Sequence, residues 1–456
     1  METLDSLLQD AARRAARHLA SLDGRAVMPP PEAGAALRAA LPACLPEDGL
    51  APGEVLAFLD EHGSPATVAS PGGRYFGFVI GGALPASLAA SWLVSAWDQN
   101  AAMGRMSPAA VAFERSAVRW IVSALGLPET AGGAFVTGAT MANASALAAA
   151  RHAVLERAGW DVEARGLFGA PEIQVVVSAE IHATVRKALG ILGLGRARVT
   201  EVPVDAQGRM RADALPPLRA PAIVCAQAGN VNSGAFDPFE AIAARTREAG
   251  AWLHVDGAFG LWALAAPERA PLAAGIERAD SWATDAHKWL NTPYDCGLVL
   301  LGDARALRAA MGIRAPYLLH AEEEPADFTP DSSRRARGVE VWAALASLGR
   351  RGLAELVERS CRHAARFADG LAAAGLPVLN DVVLNQVVLG LTSPEEADAV
   401  VGALEADGTC WCGPTRWQGR AGLRISVSCW RTTREDVERS LGAIVAAVER
   451  VRAGRT

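Results

Sequence analysis

The chain has 456 residues, 51% of them hydrophobic and 21% charged, with a formal net charge of −6. That length builds two or three packed regions, and an acidic balance without a long basic run argues against a nucleic-acid groove or an anionic membrane surface as the partner. Seven scattered cysteines, odd in number, suit the reduced thiols of a cytoplasmic protein better than a disulfide framework.

The first ten residues carry acids early and lack a basic start followed by an apolar core, so no signal peptide is expected. Leucine and alanine recur at helical spacing over 3–22, Met28-Pro29-Pro30-Pro31 interrupts them, and a second short helix is expected near 32–41. Residues 1–75 therefore read as an N-terminal helical arm. The longest apolar stretch, 76–97, is broken by glycines, Pro85 and serines, and predicts a buried loop plus helix rather than a membrane span.

From about 105 to 300, helical stretches alternate with short β-branched runs at 173–177, 222–225 and 252–255. That alternation predicts a mainly parallel sheet covered on both faces, in a large α/β domain over 76–335. The Pro/acid stretch 320–331 reads as a mobile loop. Beyond 336, helices at 338–373 and 394–406, strands at 383–391 and 422–428, and a last helix over 433–452 predict a smaller α+β C-terminal domain, 336–456. Cys410 and Cys412 flank Trp411 with no second Cys/His pair nearby, so they read as packing and no metal is expected.

Three segments carry chemistry. Gly132-Gly133-Ala134-Phe135-Val136-Thr137-Gly138-Ala139-Thr140-Met141-Ala142-Asn143 predicts a strand, a turn and a helix N-terminus, where free N–H groups and the helix dipole suit a phosphate dianion. Trp252-Leu253-His254-Val255-Asp256-Gly257-Ala258 predicts a strand ending in an acid, and Asp285-Ala286-His287-Lys288-Trp289 places a lysine in an apolar, aromatic setting. Pyridoxal phosphate asks for both: an amine for its aldehyde, in a dry, shaped site, and a carboxylate against its ring nitrogen. Alone, a lysine is usually a solvated charge and an aspartate at a strand end a cap or turn residue. Here lysine occurs only as Lys187 and Lys288, and arginine cannot form the imine, so an enzyme is expected. His254 shares a strand face with Asp256 and reads either as its support or as a core histidine, the latter favoured.

Together these segments resemble the pyridoxal-phosphate-dependent group II amino acid decarboxylases, the family of aromatic amino acid, glutamate and diaminobutyrate decarboxylases. The likeness runs from about residue 70 to the C-terminus. It includes Ser178-Ala179-Glu180-Ile181-His182 and Ala228-Gly229-Asn230-Val231-Asn232-Ser233-Gly234-Ala235-Phe236-Asp237-Pro238 between the glycine-rich turn and Asp256. The resemblance implies the fold type I, aspartate-aminotransferase-like architecture, with active sites at a homodimer interface.

It also implies roles. Gly138, Ala139 and Thr140 would hold the phosphate, with donors from Thr284 and His287. His182 would stack on the ring near the substrate carboxylate, Asp256 would face the ring nitrogen with Ala258 beside it, and Lys288 would carry the Schiff base. Asn230 and Asn232 fall where the family has hydroxyl residues near the cofactor's phenolic oxygen. Asp285 falls where several members have asparagine beside the phosphate, and repulsion by a dianion is expected to turn it elsewhere. Arg424 matches an arginine near the substrate carboxylate, the alternative being a buried ion pair. Phe76, Phe78 and Asn100, with Tyr75, Trp92 and Gln99, resemble the segment lining the substrate pocket, although aromatic clusters are more often plain core.

The implied activity is decarboxylation of an L-amino acid, with an aromatic or other large apolar side chain favoured, releasing CO2 and the amine. In the family a loop before an Arg-Arg pair supplies a tyrosine that protonates the carbanion; here 325–335 has none, and Phe328 stands in that loop. Loss of that hydroxyl favours oxygen attack and an aldehyde, which makes an oxidative, aldehyde-forming reaction the alternative. Tyr317 and His320 are other candidate donors. An aminotransferase is a further alternative, whereas a non-catalytic regulator is disfavoured because 1–70 shows no basic recognition helix.

Overall fold

The structure, a computed structural model, describes residues 3–312 and 324–454. Tyr317, His320 and the start of the expected 320–331 loop lie outside the described residues. Contacts group the chain into two compact units: Gly81–Ala365 with Leu379–Val388, and Met1–Ile80 with Arg366–Val378 and Leu389–Thr456. These limits differ from the expected segments 1–75, 76–335 and 336–456. Glu340 and Arg350, for example, bond Ser87 and Ser123 of the larger unit, while Phe76 exchanges backbone hydrogen bonds with Trp411 and Ser426 of the smaller.

The larger unit is built on seven strands: β1 (Gly132–Val136), β2 (Gln174–Ser178), β3 (Thr200–Val202), β4 (Ala222–Gln227), β5 (Trp252–Asp256), β6 (Ser281–Asp285) and β7 (Gly297–Leu301), in the order β1-β7-β6-β5-β4-β2-β3. Strands β2 to β6 run parallel, and β7 is antiparallel to both neighbours. Every residue of β4 to β7 is buried, which is why these strands read as continuous apolar runs rather than alternating ones.

The helix Ala139–Arg157 packs on this sheet and is buried on nearly every side. Its alanines bring backbone close to strand while Leu147, Val154 and Leu155 fill the remaining space. Leu147 sits in one cluster with Val136, Val177, Ile223, Val299 and Leu307, so truncation to alanine there costs about 2–5 kcal/mol. The carboxyl ends of the parallel strands fall on one edge, where ligands of open α/β sheets bind. Asp256 and Asp285 are the last residues of β5 and β6.

The helix Pro85–Trp97 forms as expected, but only Ser87, Ala90 and Val94 of it are buried, and Trp92, Leu93 and Trp97 are exposed. The helical run Arg337–Ala373 is broken at Gly349, whose φ of +59° is open to glycine at little cost.

In the smaller unit the helices Leu4–Ser21, Ala33–Ala40 and Pro52–Phe58 bury no residue. Strands β8 (Gln386–Leu391, of which only the residues from Leu389 on belong to this unit), β9 (Gly413–Trp417) and β10 (Arg420–Ser426) are ordered β8-β10-β9, and the helices Pro394–Asp407 and Arg434–Ala453 accompany them. Ser393 and Thr433 cap those helices through their hydroxyls. Cys410 and Cys412 are buried. Among the described residues no helix is long and apolar enough to cross a membrane, and no cluster of His, Cys, Asp and Glu could hold a metal.

Candidate active site

Gly297, the first residue of β7, pairs with Val136 on one side and Asp285 on the other. A Cβ on Gly297 would lie 2.5 Å from the Gly138 backbone, so its absence lets the turn after β1 close over the end of β6. Ala139 N then donates to Asp285 Oδ1 at 2.6 Å. Gly138 faces the same point: a Cβ there would stand 3.4 Å from His287 Cε1 and 3.5 Å from Asp285 Oδ1. Gly138, Ala139 and Thr140 thus form a helix N-terminus of the kind that binds anions.

Lys288 Nζ lies 3.1 Å from Asp285 Oδ2, and His287 Nε2 lies 3.7 Å from Asp285 Oδ1. Asp285 was expected to turn away from a phosphate. Instead it points into the turn, because the Ala139 N–H and the Lys288 amine both draw it there. His287 Nδ1 accepts the Cys296 N–H at 3.1 Å, which leaves the proton of a neutral ring on Nε2. Burial pushes the His287 pKa down, with Asp285 opposing the shift.

Asp256 is 5% exposed. Its Oδ1 accepts Ala258 N at 3.1 Å and its Oδ2 accepts Asn143 Nδ2 at 3.2 Å. Asn143, one turn into the Ala139–Arg157 helix, is fully buried, and its Oδ1 meets His254 Nε2 at 2.9 Å. Hydrogen bonds thus link His254 to Asp256 through Asn143. Burial pushes its pKa down to about 3. No sequence motif assigns Asn143 a role; the available signal is an amide between Ala142 and Ala144 in an alanine-rich helix. Thr284 is buried and donates to Ala258 O at 3.4 Å.

His182 follows β2 on the same sheet edge and caps the helix Ala183–Ile191, its Nδ1 meeting Thr184 N at 3.3 Å and Thr184 Oγ1 at 2.8 Å. Asn230 is buried, with its amide committed to a turn: Nδ2 donates to Glu180 Oε2 at 2.8 Å and Oδ1 accepts Asn232 N and Ser233 N. The expected contact with the phenolic oxygen has no free amide to make it.

The expected substrate-side residues sit in different surroundings. Asn100 accepts Arg334 N at 3.0 Å and donates to Ser332 O at 3.4 Å, so its amide pins the end of the loop. Phe328 ends the turn Pro325–Phe328 and packs, partly buried, on the apolar cluster beneath the sheet. Phe76 is core, edge-on to Phe367 at 5.0 Å. Phe78 is 63% exposed and stacks on Trp411 at 5.7 Å. Arg424 is half-buried on β10, with its pKa lowered by burial. Phe76, Phe78 and Arg424 all belong to the smaller unit.

An anion-binding turn, a lysine amine against it, and a buried carboxylate closing the neighbouring strand are the groups pyridoxal phosphate requires. The conserved domain of the pyridoxal-dependent decarboxylases matches residues 74–390. The chain belongs to that family. This pyridoxal-dependent decarboxylase is 32% identical over 386 residues to an L-2,4-diaminobutyrate decarboxylase of Rhizobium meliloti (strain 1021), covering 79% of this chain and 75% of that protein. It is 30% identical over 327 residues to an aromatic-L-amino-acid decarboxylase of Bacillus atrophaeus, covering 69% of this chain and 66% of that one. Its fold matches the crystal structure of Oryza sativa TDC with PLP and tryptamine at a TM-score of 0.91 and 24% identity, over 98% of each chain. The protein is a fold type I, pyridoxal 5′-phosphate-dependent amino acid decarboxylase, a carboxy-lyase.

Proposed function

We propose that this decarboxylase acts on an L-amino acid with an aromatic or other large apolar side chain and releases CO2 and the amine. The observation that carries the site assignment is Lys288 Nζ lying against Asp285 at the Gly138–Ala139 turn. Lys288 would hold the cofactor, its amine being the group that can condense with an aldehyde. The backbone N–H groups of the turn, with Thr140 and His287, would hold the phosphate. Asp256, one of whose oxygens is fixed by the Ala258 N–H, would face the ring nitrogen. Bound pyridoxal phosphate supplies an electron sink for the pair left when CO2 departs. His182, which follows β2 on the same sheet edge, would hold a proton near the substrate carboxylate, as an imidazole can near neutral pH. The aromatic relative supports the side-chain preference.

The working form is a homodimer in the cytoplasm, with a second copy covering the apolar residues Leu4, Leu8, Val55 and Leu59 that the N-terminal helices leave exposed. The lack of a tyrosine in 325–335 favours a second reading, oxidative release of an aldehyde. Incubation with a panel of L-amino acids, measuring amine, aldehyde, CO2 and H2O2, tests both. Amine and CO2 in equal amounts, largest with aromatic substrates, are expected. Peroxide and aldehyde in step with CO2 would replace the first reading by the second, and keto acid without CO2 would overturn both.

A further inference from the structure

We infer that Trp252, Ser281, His254 and Asn143 form a one-way hydrogen-bond chain that orients Asp256 toward the cofactor's ring nitrogen, which makes His254 and Asn143 positioning residues. The inference rests on the placement of Asp256 proposed above.

The direction of the chain is set by its ends. Trp252 Nε1 is only a donor, and it meets Ser281 Oγ at 2.9 Å. Asp256 Oδ2 is an acceptor, 3.2 Å from Asn143 Nδ2. The links between must therefore all point one way. Ser281, accepting from the indole, donates its hydroxyl hydrogen to His254 Nδ1 at 2.9 Å. An accepting Nδ1 places the ring proton on Nε2, which donates to Asn143 Oδ1 at 2.9 Å. That leaves the amide's NH2 end for the carboxylate.

Strand geometry assembles these groups. Trp252, His254 and Asp256 alternate onto one face of β5, Ser281 is the register partner of His254 on β6, and Asn143 reaches that face from the helix covering it. Ser281, His254 and Asn143 have no exposed surface, so water cannot replace a lost link, and an unmet polar group there is costly. Burial keeps the imidazole neutral, as the chain requires. Without the His254 donor, Asn143 is free to turn its oxygen toward Asp256, setting one acceptor against another. A histidine that merely filled core would set no such direction.

The test uses holoenzyme with cofactor isotopically labelled at the pyridine nitrogen, observed by NMR, together with the cofactor dissociation constant. Wild type is expected to give a protonated ring-nitrogen signal. His254→Phe and Asn143→Leu are expected to shift it toward the unprotonated position and to weaken cofactor binding by roughly tenfold, the worth of one charge-assisted hydrogen bond. His254→Gln, which can both accept and donate, is expected to recover most of the wild-type signal. Ser281→Ala is the smaller change, suited to the case where either larger variant does not fold, and is expected to shift the signal the same way. A wild-type signal and affinity in the variants that fold would overturn the inference, as would His254→Gln behaving like His254→Phe. An unprotonated ring nitrogen in the wild-type holoenzyme would instead count against the placement of Asp256 itself.

Discussion

Lys288 Nζ stands 3.1 Å from one oxygen of Asp285, while the other oxygen accepts the Ala139 N–H at 2.6 Å. One carboxylate thus occupies both groups that a bound cofactor draws on, the amine and a donor of the phosphate turn. Asp285→Asn keeps an acceptor for Ala139 and removes the charge. It is expected to tighten pyridoxal phosphate binding several-fold, by relief of about 1 kcal/mol of repulsion, and to lower the melting temperature of the apoprotein by a few degrees through loss of the ion pair. Titration of each protein with cofactor, alongside apoprotein melts, measures both; weaker binding by the variant would contradict this role.

Gly297→Ala should be far more damaging than its size suggests. The new methyl would come within 2.5 Å of the Gly138 backbone, which cannot move aside as a side chain can. A stability loss of about 1–3 kcal/mol from overpacking is expected, with cofactor affinity falling because the phosphate turn is displaced. Denaturant melts and cofactor titration check this, and wild-type values in both would show that the turn does not depend on the close approach.

Acid should destabilise the fold through His254. Its folded pKa of about 3 lies below the ordinary 6.5, so the unfolded chain takes up the proton first. Stability is complete above pH 6.5 and drains as pH falls toward 3. His254→Phe should flatten that part of the profile, by an amount on the order of a few kcal/mol. Melting temperatures of both proteins across the range measure the difference, and parallel profiles would show that His254 does not carry the acid sensitivity.

The sheet, Asp256 at the end of β5, Lys288 and the glycine-rich turn were legible in the sequence because each is a local pattern: period, strand end, scarcity, turn chemistry. The link between His254 and Asn143 was not, since it joins a strand to a helix 111 residues away. Asp285 faces the turn because the Ala139 N–H and Lys288 attract it, partners that local sequence pattern does not place beside it. Asn100 and Phe328 depended on where the loop end is anchored, which the spacing of neither residue encodes.

That anchor is Arg334, whose Nη2 meets Glu114 Oε1 at 2.8 Å and Phe135 O at 2.7 Å, with Nη1 on Ala101 O. Both side chains are almost fully buried. Glu114→Ala would leave the guanidinium unpaired and is expected to cost about 3–5 kcal/mol, read by denaturant melts. A loss below about 1 kcal/mol would mean that the backbone carbonyls alone satisfy Arg334.

The attachment of cofactor to Lys288 is tested most directly by borohydride reduction of the holoenzyme followed by peptide mass mapping. The chain offers two lysines, Lys187 and Lys288, and Lys187 is exposed on the helix Ala183–Ile191. The account predicts one pyridoxyl group per chain, on Lys288, with no label and no visible absorbance band in Lys288→Ala. Label on Lys187, or an unchanged band in Lys288→Ala, would contradict it.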